Sequence, residues 1–138
     1  MKQSTKTLFI ILFISLSACQ DIIDCIINVR PELPDKVLKT GDIEQYYFDE
    51  FNAGIKNEPR DDDYDYYFEF YGDLPEGLEI FFNNKNVAIE GTPIESGLFT
   101  FTLYLTVDPP VNYDFETGEY EDSLCSDSTS HKYTIAIR

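Results

Sequence analysis

Apolar and polar positions alternate along much of this chain, most clearly between Gly72 and Val107. Leu74-Pro75-Glu76-Gly77-Leu78 reads as a tight bend. It feeds a short strand in which Leu78, Ile80 and Phe82 share one face. Asn83-Asn84-Lys85-Asn86 is a polar turn, Val87 and Ile89 form a second short strand, and Gly91-Thr92-Pro93 stops it. From Gly97 a long third strand follows. Phe99, Phe101, Leu103, Leu105 and Val107 lie on one side, with Thr100, Thr102, Tyr104 and Thr106 on the other. A period of two over this length predicts strands with one buried and one wet face.

The rest of the chain extends that pattern. Cys25 to Val29 reads as an early strand interrupted by Pro31 and Pro34, and Val37 to Thr40 as a continuation of that edge strand. Ile43 to Phe51 reads as a second strand, with Tyr46 and Phe48 facing one way and Tyr47 and Asp49 the other, and its imperfect period leaves a short helix as the alternative. Lys56 to Asp65 is an exposed loop. Tyr66 to Tyr71 is a strand with Tyr66, Phe68 and Phe70 on one face. Tyr133, Ile135 and Ile137 mark the last strand. Between them an acidic insertion runs over about 108–130, longer than ordinary connections. The sum is all-β, about seven strands in a β-sandwich, with no helix after the leader. Its predicted core is Phe68, Phe70, Leu78, Ile80, Phe82, Val87, Ile89, Phe99, Phe101, Leu103, Leu105, Ile135 and Ile137.

Three segments, LPEGL at 74–78, VAIEGTP at 87–93 and GLFTFTLYLTVD at 97–108, together resemble the immunoglobulin-like domains of bacterial surface proteins. Those domains are relatives of the cadherin-like domains of the dystroglycan type. The resemblance rests on Leu74, Pro75, Gly77, Leu78, Val87, Ile89, Gly91, Thr92, Pro93, Gly97, Phe99, Phe101, Leu103 and Asp108. It implies an immunoglobulin-like sandwich serving as spacer, adhesion module or binding platform, and says little of activity.

The N-terminus adds a compartment. Lys2 and Lys6 precede the apolar run Leu8 to Leu16, and Ser17-Ala18 supplies small residues at a cleavage site. This is the build of a secretory signal peptide, too short to span a bilayer. Leu16-Ser17-Ala18-Cys19 resembles the bacterial lipobox. That implies cleavage after residue 18, acyl chains (palmitate among them) on Cys19, and a lipoprotein held at the cell envelope. Gln20 after the cysteine implies the outer membrane. The domain plan is therefore a signal peptide over 1–18, a short tether over 19–24 and the sandwich over 25–138.

Cysteine usage fits export. With Cys19 lipidated, Cys25 and Cys125 remain as a pair in an oxidising compartment. In immunoglobulin-like sandwiches the first strand commonly runs beside the last, which implies that these two cysteines lie close. A Cys25–Cys125 disulfide is expected, closing a loop of about 100 residues; two free thiols are the alternative.

Charge then removes one class of partner. The chain carries 26 acidic against 10 basic residues, a formal net charge of −16. Nucleic acid is excluded, because phosphate binding needs a basic surface. The partners expected are a membrane, reached through the lipid anchor, and an envelope or extracellular protein.

Candidate chemistry is sparse. Asp61, Asp62, Asp63 and Asp65 form an oxygen-rich loop of the kind calcium requires, and a calcium-binding cadherin-like adhesion module is the alternative function. The register departs from the helix–loop–helix calcium loop: Tyr66 stands at the sixth position instead of Gly, and Gly72 at the twelfth instead of Glu. Dense like charge is commonly a solvated loop. Beyond calcium no cofactor is expected. Ten tyrosines, Tyr64, Tyr113 and Tyr120 among them in acidic surroundings, offer aromatic contact surface. His131 is the one histidine. No nucleophile–base spacing and no phosphate loop stands out, so no catalytic residue is expected and the protein reads as a non-enzyme.

Overall fold

A computed structural model describes residues 28–110 and 124–138, together with the backbone of 112–113 and 120–121. Ten strands follow in order: β1 Arg30–Glu32, β2 Tyr47–Asn52, β3 Gly54–Lys56, β4 Asp65–Gly72, β5 Leu78–Asn83, β6 Asn86–Gly91, β7 Gly97–Asp108, β8 Asn112–Tyr113, β9 Tyr120–Glu121 and β10 Ser128–Ile137. Among the described residues a 3-10 turn at Asp61–Asp63 interrupts them.

Two three-stranded antiparallel sheets carry the fold, in the orders β10-β7-β4 and β2-β6-β5. Each inward face is the apolar half of the sequence alternation. Phe101, Leu103, Leu105 and Val107 of β7 and Tyr133, Ile135 and Ile137 of β10 meet Tyr47 and Phe51 of β2 and Val87 and Ile89 of β6 in one buried cluster. Ring contacts join the two layers: Phe51 stacks on Tyr133 at 4.8 Å and Phe68 on Phe82 at 4.9 Å between centroids. The chain is thus a β-sandwich.

Strand order makes it immunoglobulin-like. Omitting the small pairs β1-β3 and β8-β9, six main strands remain: one sheet takes the first, third and fourth of them and the other the second, fifth and sixth, which correspond to strands B, D, E and C, F, G. That is the division of the constant-type immunoglobulin sandwich. Gly41 adds the parallel bridge to Ile137 that places the early segment beside the last strand. Three hydrogen bonds hold it there: Gly41 N to Ala136 O, Arg138 N to Gly41 O and Ile43 N to Arg138 O, at 2.9–3.1 Å.

Several expectations change in detail. Of the predicted early strand, residues 25–27 lie outside the described residues and Val29 is not in a strand; the ladder starts one residue later, at Arg30. Pro31 sits inside β1 because β1 pairs on one side only, with β3, and an edge position tolerates the missing N–H. Val37 to Thr40 forms no strand. Its polar backbone groups are met by side chains instead: the Lys39 N–H donates to Asp49 and the Lys39 carbonyl accepts from the Tyr47 hydroxyl. A single residue, Ala53, separates β2 from β3. Phe82 lies on the inward face as expected but stays 40% exposed, since β5 and β4 are the open edges of their sheets and cover each other only partly. The last strand begins at Ser128, five residues before Tyr133, so the insertion is shorter than 108–130. Its backbone includes the two-residue pair β8-β9.

Candidate functional site

The motif shared with surface-protein domains builds a backbone clasp. The Thr92 N–H donates to the Gly77 carbonyl and the Ile94 N–H to the Glu76 carbonyl, both at 3.0 Å. Gly77 and Gly91 have φ of +93° and +140°, where side chains are strained. A Cβ on Gly77 would meet the Thr92 carbonyl, and one on Gly91 the Gly77 carbonyl. The two glycines let the bend and the end of β6 lie against each other.

That clasp floors a cleft of about 280 Å³ on the outer face of the β2-β6-β5 sheet, lined by Tyr46, Gly77, Leu78, Glu79, Phe81, Glu90 and Gly91. Strand register explains the company. Glu79 of β5 is the direct partner of Glu90 of β6, and Glu90 in turn of Phe48 of β2. Phe81 and Glu50 flank Ala88 in the same way. The Tyr46 hydroxyl donates to Glu90 Oε2 at 2.6 Å. That carboxylate bond, helped slightly by burial and by the same negative charge, raises the Tyr46 phenol above its ordinary value. Sequence reasoning missed this cleft, because facing glutamates become visible only once two strands are in register.

The outer face of the other sheet carries Tyr67, Tyr71 and Tyr104. Tyr71 meets Tyr104 edge-on at 5.4 Å and donates its hydroxyl to Glu69 at 2.9 Å. Tyr113 and Tyr120 have side chains outside the described residues.

The acidic loop is organised by a lysine. Lys85 Nζ lies 3.0 Å from Asp61 Oδ1 and 2.5 Å from Asp62 Oδ1. These bonds hold its ammonium well above the ordinary lysine range. Tyr66 donates to the Asp61 carbonyl at 3.1 Å; burial first, then the Asp61 charge, pushes its phenol up to about 12. Asp61, Asp62 and Asp63 form the 3-10 turn and Asp65 opens β4. Among the described residues no three His, Cys, Asp or Glu side chains converge to hold a metal ion. The four aspartates are neighbours in sequence, but a cation of the chain's own already stands between the first two.

One carboxylate goes inward. Asp49 is 1% exposed. Its Oδ1 accepts from Lys36 Nζ at 2.6 Å and from the Glu50 N–H at 3.0 Å, and its Oδ2 from the Lys39 N–H at 2.9 Å. Burial raises its pKa, but the Lys36 bond, the Lys39 amide and the Lys36 charge together outweigh burial and leave it below 3.8. Its parity in the alternation was readable; its role was not, since no local pattern names Lys36 as its partner. His131 Nε2 lies 3.7 Å from Asp35, and its ring packs edge-on to Tyr133 at 4.7 Å.

Of the predicted cysteines, Cys125 is in a disulfide, while Cys19 and Cys25 lie outside the described residues. The Cys125 N–H donates to the Val29 carbonyl at 2.8 Å. Among the described residues no helix is long and apolar enough to cross a membrane.

No family model matches the chain, and no curated protein does. Among solved structures it is similar to an endo-fucoidan hydrolase of glycoside hydrolase family 107, at 19% identity and a TM-score of 0.48, over 81% of this chain and 14% of that one. It is similar to a candidate alpha-galactosidase of Bacteroides fragilis NCTC 9343, at 18% identity and a TM-score of 0.46, over 80% and 18%. It is also similar to the titin M3 domain, at 13% identity and a TM-score of 0.42, over 80% and 98%. The chain thus spans less than a fifth of each of these two enzyme chains and nearly all of the titin domain. None of these likenesses bears on activity, and the fold assignment rests on the strand order itself.

Proposed function

We propose that this protein is a lipid-anchored lipoprotein of the bacterial envelope whose single immunoglobulin-like domain has a binding role rather than a catalytic one. The observation that carries the proposal is Leu16-Ser17-Ala18-Cys19 at the end of a short apolar run. Only about ten residues separate Cys19 from β1, a reach of under about 40 Å even when extended. The domain therefore works close to a lipid surface, with net charge −16 keeping it off anionic headgroups. Both sheets carry exposed aromatic side chains on their outer faces, including Phe48, Phe81, Tyr67, Tyr71 and Tyr104, a composition suited to contact with another macromolecule. In cells fed a labelled fatty acid, the protein is expected to carry label and sediment with envelopes, and Cys19→Ser to lose both. Label retained by Cys19→Ser removes the anchor.

The disulfide of Cys125 belongs to the same proposal, with Cys25 as its partner. Lipidation takes Cys19 out of contention. The Cys125 N–H bond to Val29 brings position 125 within four residues of Cys25 along the chain. Peptide mapping without reductant is expected to recover a linked pair containing residues 25 and 125. Alkylation of either thiol in the unreduced protein overturns it.

A further inference from the structure

We infer that the cleft on the outer face of the β2-β6-β5 sheet receives a lysine or arginine side chain from a basic segment of a protein partner. The inference rests on the binding role proposed above and supplies its site. Glu79 and Glu90 face each other directly across β5 and β6; the Tyr46 hydroxyl meets one oxygen of Glu90 but brings no positive charge, so the opposed like charges cost stability. A local rule broken in this way is expected where function requires it. Tyr46, 67% exposed, and Phe81, 45% exposed, form aromatic walls to the same cleft. Carboxylates together with aromatic faces are the chemistry that holds an ammonium or guanidinium, by charge-assisted hydrogen bonds and by the ring quadrupole.

Among the described residues no basic side chain lines the cleft. Lys39 is engaged on β2 instead, its Nζ over the Phe48 ring at 6.0 Å from the centroid and donating to the Phe48 carbonyl at 3.1 Å. Glu50 extends the negative surface along β2. The floor is the Gly77–Thr92 clasp, so the walls stand on a backbone fixed before a ligand arrives. Charge complementarity selects a basic segment over a second copy of this chain, whose own charge is −16.

The test uses the full chain in uncharged detergent micelles and a fluorescent peptide of alternating lysine and glycine, against the same peptide with glutamine for lysine. The lysine peptide is expected to bind and the glutamine peptide not. Glu79→Gln with Glu90→Gln should weaken binding roughly tenfold or more, as should Phe81→Ala, whereas Glu69→Gln on the opposite sheet should leave it unchanged. The double glutamine variant should melt roughly 1–6 °C higher than the parent, because facing like charges are removed, so its weaker binding does not reflect misfolding. Absence of lysine-peptide binding, binding undiminished in the double variant, or an equal loss in Glu69→Gln overturns the inference. Acyl labelling of the Cys19→Ser protein tests the envelope proposal separately, so either result stands without the other.

Discussion

Replacing Asp49 with alanine is expected to destabilise the domain by about 3–5 kcal/mol, the loss of three hydrogen bonds to one buried carboxylate. That is a large share of the roughly 5–15 kcal/mol by which a domain is stable at all. The reason lies in what Asp49 holds. Residues 33–40 have no ladder partner, yet Leu33 and Leu38 are buried in the core. The Asp49 carboxylate reaches that segment twice, through the Lys36 ammonium and the Lys39 N–H, and the Tyr133 hydroxyl adds a third tie to the Pro34 carbonyl at 2.9 Å. Truncation leaves the Lys39 N–H without its acceptor and strips Lys36 Nζ of its counter-charge, leaving it the Glu50 carbonyl at 2.6 Å. Urea unfolding of Asp49→Ala against Asp62→Ala is the measurement, the second being an exposed ion pair with Lys85 worth about 0–1 kcal/mol. Equal losses in the two would show that Asp49 is not the strut described.

The same carboxylate makes a pH prediction. Its folded pKa lies below 3.8 while the unfolded chain keeps the ordinary value. The stabilisation is therefore complete above 3.8 and is lost as pH falls through the folded value, because the unfolded state binds the proton first. The stability difference between the parent and Asp49→Asn should shrink as pH drops below about 4. A difference that is constant from neutral pH down to pH 2 would contradict it.

Legibility followed the range of the interactions. Strands β4, β5, β6 and β7 were readable because their inward residues repeat every second position over six or more residues, and packing between two layers rewards that period alone. Tyr47 and Tyr133 were harder to place as core, since an aromatic hydroxyl reads as polar until its partner is known; Tyr47 finds the Lys39 carbonyl and Tyr133 the Pro34 carbonyl. Residues 37–40 were misjudged for the opposite reason. Val37 and Leu38 look like strand, but the backbone there is held by side chains distant in sequence, which no window of local pattern contains. The cleft depends on the same kind of information. Glu79 and Glu90 are unremarkable surface residues in sequence and become a pair only through the β5-β6 register.

One sheet therefore plays two parts with opposite faces. Inward, Val87 and Ile89 are wholly buried and fix the β6 register. A slip of one residue would turn them to water and put Ala88 and Glu90 in the core. Outward, that fixed register is what keeps the two glutamates opposed. The stability of the inner face thus sustains the repulsion on the outer one, and a basic partner would relieve it.

Phe101→Ala is expected to rank with Asp49→Ala, at about 3–5 kcal/mol, the range for removing a fully buried aromatic side chain. Phe101 is 1% exposed on β7, the central strand of its sheet. Its ring lies 5.3 Å from Phe70 of β4 and 5.6 Å from Tyr133 of β10, and Tyr133 stacks on Phe51 of β2. The run of rings crosses one sheet and steps to the other, so deleting its second member opens a cavity where the layers join. Little collapse is available, because Gly72 of β4 already lies against the Phe101 backbone and any Cβ there would meet it. Thermal melting should place Phe101→Ala more than about 10 °C below the parent. Leu98→Ala, at a side chain 76% exposed on the same strand, should fall within about 0.5 kcal/mol of it. If the two variants melt together, the inward face of β7 is not where this domain's stability resides, and the sandwich assignment goes with it.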